Sequence, residues 1–127
     1  MCFIDLPSTI PHKASHDIPV FKICKLIGKN NIMAKYHNFL YKPKILNEQI
    51  TLKPYIHYDH IVINSGYHSY RNLVKLRTCW YKCNDIEILA DDNEVIAEFI
   101  IPKGTLYYEN LRGELVSENI IFTGKYY

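Results

Sequence analysis

The chain has 127 residues, 48% apolar and 22% charged, and its 15 basic and 13 acidic side chains leave a net charge of +2. That length suits one domain able to bury its own core, and the composition excludes a disordered chain. So small a positive excess excludes an obligate nucleic-acid binder. With no basic-then-apolar leader and no apolar run near about 18 residues, the expectation is a cytoplasmic protein without membrane contact.

Residues 1–17, "MCFIDLPSTIPHKASHD", carry no hydrophobic period and read as an extended N-terminal arm, leaving residues 18–127 as a single domain. "IPVFKICKLI", residues 18–27, is β-branched and apolar on both faces, as a central strand is. "GKNN" is a turn, "IMAKYHNFLY" a returning strand, and "KILNEQITL" after Pro43 a further short strand. "IHYDHIVIN" reads as one strand ending in the buried run Ile61-Val62-Ile63, which Gly66 terminates or bulges. On such a strand His57 and His60 point to opposite faces, so a shared metal needs a bend, and none is expected.

From Tyr70 to Cys83 the period changes. Leu73, Leu76, Trp80 and Cys83 recur at three- and four-residue steps and predict one amphipathic helix over about 70–83. The four strands "IEILA", "VIAEFII", "LYYE" and "ELVSENIIF" are parted by the acidic turn "DDNE" and by "PKGT" and "NLRG", which predicts an antiparallel meander. The predicted class is therefore α+β, a bent, mostly antiparallel sheet with one main helix.

Charge is unevenly spread. Residues 20–53 hold seven lysines against Glu48 alone, and residues 84–98 hold six acids and no base. Such a dipolar surface guides an anionic ligand or a partner, unless it is simply a solvated face. Cys2, Cys24, Cys79 and Cys83 are expected to be thiols. Cys79 and Cys83, four apart on the helix, lack the second pair that a structural zinc site requires.

The stretch "GYHSY", residues 66–70, stands where strand gives way to the predicted helix. Ser69 there either caps the helix or, with His68 and Tyr70, meets an anion at the free N–H groups of its first turn. At "PKGT", Lys103 and Tyr107 or Tyr108 offer a cationic and aromatic lip for the same pocket, or an ordinary hairpin face. Gly-rich phosphate loops, Gly-x-Ser-x-Gly elbows and His-Glu-x-x-His helices are absent, so no catalytic residue, cofactor or metal ligand is assigned.

"DIPVFKIC", "GYHSY" and "AEFIIPKGTLYYENLRGELVSENII" resemble, in order and spacing over roughly residues 17–122, a family of short uncharacterised proteins of bacteriophages and mobile elements in Bacteroides-type hosts, which carry "GFHSY" and "IPKGSxYY". The resemblance implies a viral or mobile-element accessory protein, placed then in the host cytoplasm, and no established activity. A fainter likeness is to mono-ADP-ribosyltransferases, with Lys22, "HSY" and Glu114 in comparable order; that family's arginine and its Glu-x-Glu pair are missing here. The expected function is a non-enzymatic module binding a small anionic, nucleotide-like ligand or a host protein through His68, Ser69, Tyr70, Lys103 and Tyr107. The alternatives are a nucleotide-dependent transferase of the ADP-ribosyltransferase type and a structural virion component; the oligomeric state stays open.

Overall fold

The computed structural model describes residues 4–28, 31–34, 39–73, 76 and 94–127. Within them run twelve strands: β1 Ile4–Leu6, β2 His12–Lys13, β3 Ile18–Ile27, β4 Asn31–Ala34, β5 Leu40–Tyr41, β6 Tyr55–His57, β7 His60–Ile63, β8 Tyr67–Tyr70, β9 Glu94–Ile101, β10 Leu106–Glu109, β11 Glu114–Ser117 and β12 Ile121–Tyr126. The architecture is nearly all β, which corrects the α+β expectation. Tyr70 ends a strand, and of the expected helix at 70–83 only Leu73 and Leu76 have helical backbone among the described residues, while Trp80 and Cys83 lie outside them. No helix long and apolar enough to cross a membrane occurs among the described residues.

A nine-stranded sheet has the order β12-β9-β3-β8-β11-β10-β2, with β4 and β5 attached beside β3, and a three-stranded sheet has the order β1-β7-β6. β3 is central as expected, bonded to β9 from Ile18↔Ile101 to Lys25↔Glu94. The meander expectation is corrected: "IEILA" lies outside the described residues, and β10 and β11 form the "NLRG" hairpin, but β9 pairs with β3 and β12, not with β10. The arm supplies β1 to the small sheet and β2 to the large one.

The large sheet has to curl. β9 and β10 stand four places apart in the strand order, roughly 19 Å in a flat sheet. A turn joins them directly, with the Thr105 N–H donating to the Pro102 carbonyl at 3.1 Å and Gly104 at φ +89°. Gly104 donates to the Ala14 carbonyl at 2.8 Å and Ala14 to the Thr105 carbonyl at 2.9 Å, so the β2–β3 link is bonded to the β9–β10 link. The two ribbons bend together at that corner and bring the sheet round on itself. Inside the curl lie Val20, Cys24, Tyr67, Phe99, Leu115 and Phe122. On the outer side Val116 and Tyr108 pack against Leu6 and Ile63 of the small sheet.

Several segments read as single strands are not: "IMAKYHNFLY" holds parts of β4 and β5, and "ELVSENIIF" holds β11 and the start of β12. "KILNEQITL" forms no strand. Its polar groups are clasped by the chain before β12, with Asn47 N–H donating to Asn119 Oδ1 at 3.1 Å and Asn119 Nδ2 to the Asn47 carbonyl at 2.6 Å. "IHYDH" is a hairpin. Tyr58 and Asp59 take φ of 48° and 64°, and His57 pairs directly with His60.

Candidate functional site

Alternation decides which of the expected residues share a side. Ser69 pairs with Leu115, Ser117 pairs with both Tyr67 and Tyr107, and Glu109 pairs with Leu115. Tyr67 and Leu115 belong to the interior cluster, so Ser69, Ser117, Tyr107 and Glu109 face inward. His68 pairs with Val116 and Tyr70 with Glu114, on the outer side. The sheet therefore separates Ser69 and Tyr107 from His68 and Tyr70. Lys103 is exposed at the corner turn, where its N–H donates to Asp17 Oδ1 at 2.9 Å.

The two corners expected to enclose a shared hollow lie at opposite ends of β10. The Pro102–Thr105 turn precedes Leu106, whereas Arg71, just past Tyr70, donates its N–H to the Gly113 carbonyl at 2.9 Å beyond Glu109. The five expected residues are thus not one pocket. Nor is Ser69 a helix cap, since it sits within β8 at 2% exposure.

The inner face does assemble a polar group of its own. Arg71 continues the inward alternation of Tyr67 and Ser69, and its Nε and Nη2 donate to Glu109 Oε2 and Oε1 at 2.7 and 2.8 Å. This fork holds the guanidinium above its ordinary pKa, chiefly through the Glu109 hydrogen bond, with burial opposing and Tyr107 adding. The Tyr107 ring lies 5.4 Å from that of His12 on β2. Lys22 extends inward from β3, opposite the fully buried Ala97, and its Nζ donates to the His68 carbonyl. Near them the hydroxyls of Ser69 and Ser117 are buried without a hydrogen-bond partner among the described residues. Two cations, a phenol and two unanswered hydroxyls thus line one side of the curl.

Sequence reading passed over Arg71, Glu109 and Ser117. Ser117 was visible, because in "ELVS" it shares its alternation with Leu115, an apolar position. Arg71 was hidden once its segment was assigned to a helix.

Cys24, two residues beyond Lys22 on β3, and Tyr41 belong to the interior cluster. Burial pushes the Cys24 thiol up to about 12, with Lys22 pulling weakly the other way, and raises Tyr41 still more, with Cys24 and Tyr67 adding. The sign follows. Between the ordinary thiol value of 9.0 and about 12 the folded chain holds a proton that the unfolded chain releases. Stability is intact below pH 9 and is lost as pH climbs towards 12, with a slope near 1.4 kcal/mol per pH unit for this one thiol. Urea midpoints measured from pH 8 to 11 should fall, and Cys24→Ala should flatten the fall; an equal slope in the variant would exclude Cys24 as its source.

Glu114 is opposite Tyr70 and one diagonal step from His68 on the outer face. Its carboxylate is held by Asn110 Nδ2 at 3.0 Å and Arg112 Nε at 3.3 Å. Beside that hairpin a surface hollow of about 240 Å³ is lined by Leu6, Pro7, Asn110, Leu111 and Arg112. The chain matches no protein-family model, no curated protein and no solved structure.

Proposed function

We propose that this chain is a non-enzymatic binding module for a small anionic, nucleotide-like ligand, held on the inner face of the curled sheet by Lys22, Ser69, Arg71, Tyr107 and Ser117. The observation that carries the reading is the pair of buried serine hydroxyls without partners among the described residues. A buried hydroxyl left unanswered costs roughly 1–3 kcal/mol, and a ligand oxygen placed between the two would relieve both. Lys22 and Arg71 supply the positive field that favours an anion there, and Tyr107 supplies an aromatic surface for a base. Glu109 now occupies the Arg71 fork, so binding would exchange one carboxylate for another anion. The likeness to phage and mobile-element proteins supports an accessory role in the host cytoplasm. Glu114 is engaged by its own hairpin, which favours binding over the transferase reading.

The test is thermal unfolding with mononucleotides, dinucleotides and cyclic dinucleotides. A ligand at one hundred times its dissociation constant adds about 2.7 kcal/mol, which for a domain of this size raises the midpoint by roughly 10 °C. Arg71→Ala should abolish the shift without changing the unliganded midpoint by more than a few degrees. No shift with any member of the panel would overturn the small-ligand reading.

A further inference from the structure

We propose that the tip of the β6–β7 hairpin is a two-histidine site for a divalent transition-metal ion of the nickel, copper and zinc group. His57 and His60 are separated by two residues in sequence and are direct partners in the ladder. Directly opposed residues of an antiparallel pair project to the same side, with Cβ atoms about 4.5–5.5 Å apart. Two imidazole nitrogens bound in cis to one ion, each at 2.0–2.1 Å from it, lie about 3 Å from each other; rings rooted at that Cβ spacing reach this once the His57 ring turns from its edge-on contact with Tyr58, at a centroid distance of 4.5 Å, towards His60. Both histidines are exposed, so an ion reaches them from solvent.

The turn that creates the opposition is unusual. Two-residue loops of this kind need positive φ at both positions and are ordinarily made by Asn-Gly or Asp-Gly. Here Tyr58 takes φ 48° and Asp59 φ 64°, and a bulky side chain in that region is a strained choice. Tyr58 is 85% exposed, so burial does not offset the strain. Strained turns persist where the surrounding structure holds them, and they gather at ligand sites.

Among the described residues no group of three or more His, Cys, Asp or Glu side chains is gathered for a metal. The site accordingly offers two protein ligands, with water completing the sphere. Imidazole pairs take ions in the order Ni²⁺ below Cu²⁺, with Zn²⁺ beside them, and do not take Mg²⁺ or Ca²⁺, which require oxygen donors.

The experiment is Ni²⁺ titration of the full chain by calorimetry, with circular dichroism confirming the fold of each variant. One equivalent should bind, His57→Ala and His60→Ala should each weaken it at least tenfold, and His16→Ala should leave it unchanged. A double variant with Tyr58→Asn and Asp59→Gly keeps the loop type and should retain binding within threefold. An excess of Mg²⁺ should not compete. Unchanged Ni²⁺ affinity in either histidine variant overturns the site, and so does loss of binding in the loop variant, which would make Asp59 a required ligand.

Discussion

Replacing Phe99 by alanine should lower the free energy of unfolding by about 3–5 kcal/mol, the cost of a large cavity in a packed core. Phe99 is fully buried on β9, between Val20 of β3 and Phe122 of β12 in the ladder. Its ring meets Tyr41 edge-on at a centroid distance of 4.8 Å and Phe122 at 5.5 Å. The walls of the resulting hole would be strands bonded on both sides, so they have little freedom to collapse into it. Domains of this kind hold only about 5–15 kcal/mol in total, so the variant should be partly unfolded under mild denaturant. The control is Leu111→Ala at the hairpin tip, where 95% exposure leaves nothing to lose and the change should stay within about 0.5 kcal/mol. Urea unfolding reads both, and similar midpoints for the two variants would refute the placement of the core inside the curl.

What was legible in the sequence was local. Residues 18–27 read as a central strand because both alternating sets are apolar, and β3 is bonded on both sides. "PKGT" and "NLRG" read as turns because their chemistry names the conformation. In the second, Asn110 Oδ1 accepts from the Arg112 and Glu114 N–H groups at 3.0 Å each. Partners were not legible, since alternation reports which way a residue faces and says nothing of its neighbour. A four-residue link between β9 and β10 therefore suggested a hairpin, when it is one of two bonded corners where ribbons bend. The helix prediction failed at its first residue, Tyr70, because that residue also closes a period-two alternation, with Tyr67 and Ser69 buried and His68 and Tyr70 half-buried. At His57 and His60 the turn was invisible because Tyr-Asp replaces the usual Asn-Gly. The inner-face group inherits both failures: Arg71 was placed on a helix, and Ser117 has no partner strand until β8 and β10 flank it.

Gly66→Ala should destabilise the protein by about 2–4 kcal/mol, well beyond an ordinary glycine replacement. Gly66 stands between β7 of the small sheet and β8 of the large one, at the point where the chain passes from one layer to the other. Its φ is +91°, a conformation that costs an L side chain roughly 1–2 kcal/mol. Space is the second cost. A Cβ there would lie 2.5 Å from Leu52 Cδ2, 2.7 Å from Val116 Cγ1 and 3.0 Å from the Ser117 carbonyl oxygen. Leu52 is the end of a flexible side chain and can yield; Val116 is fully buried between the two layers, and the Ser117 carbonyl is backbone. The crowding therefore falls on β11, the strand that carries one of the two unanswered hydroxyls. Gly104→Ala separates the two costs, because Gly104 has φ +89° and nothing within 4 Å of its added Cβ, so it should lose only the conformational part. Trimming Leu52 to alanine in the Gly66→Ala background should recover less than half of the difference, since the Val116 and Ser117 contacts remain. Equal losses at Gly66 and Gly104 would mean that β11 does not press against the crossing, and with it would go the two-layer packing that holds Val116 outward and Ser117 inward.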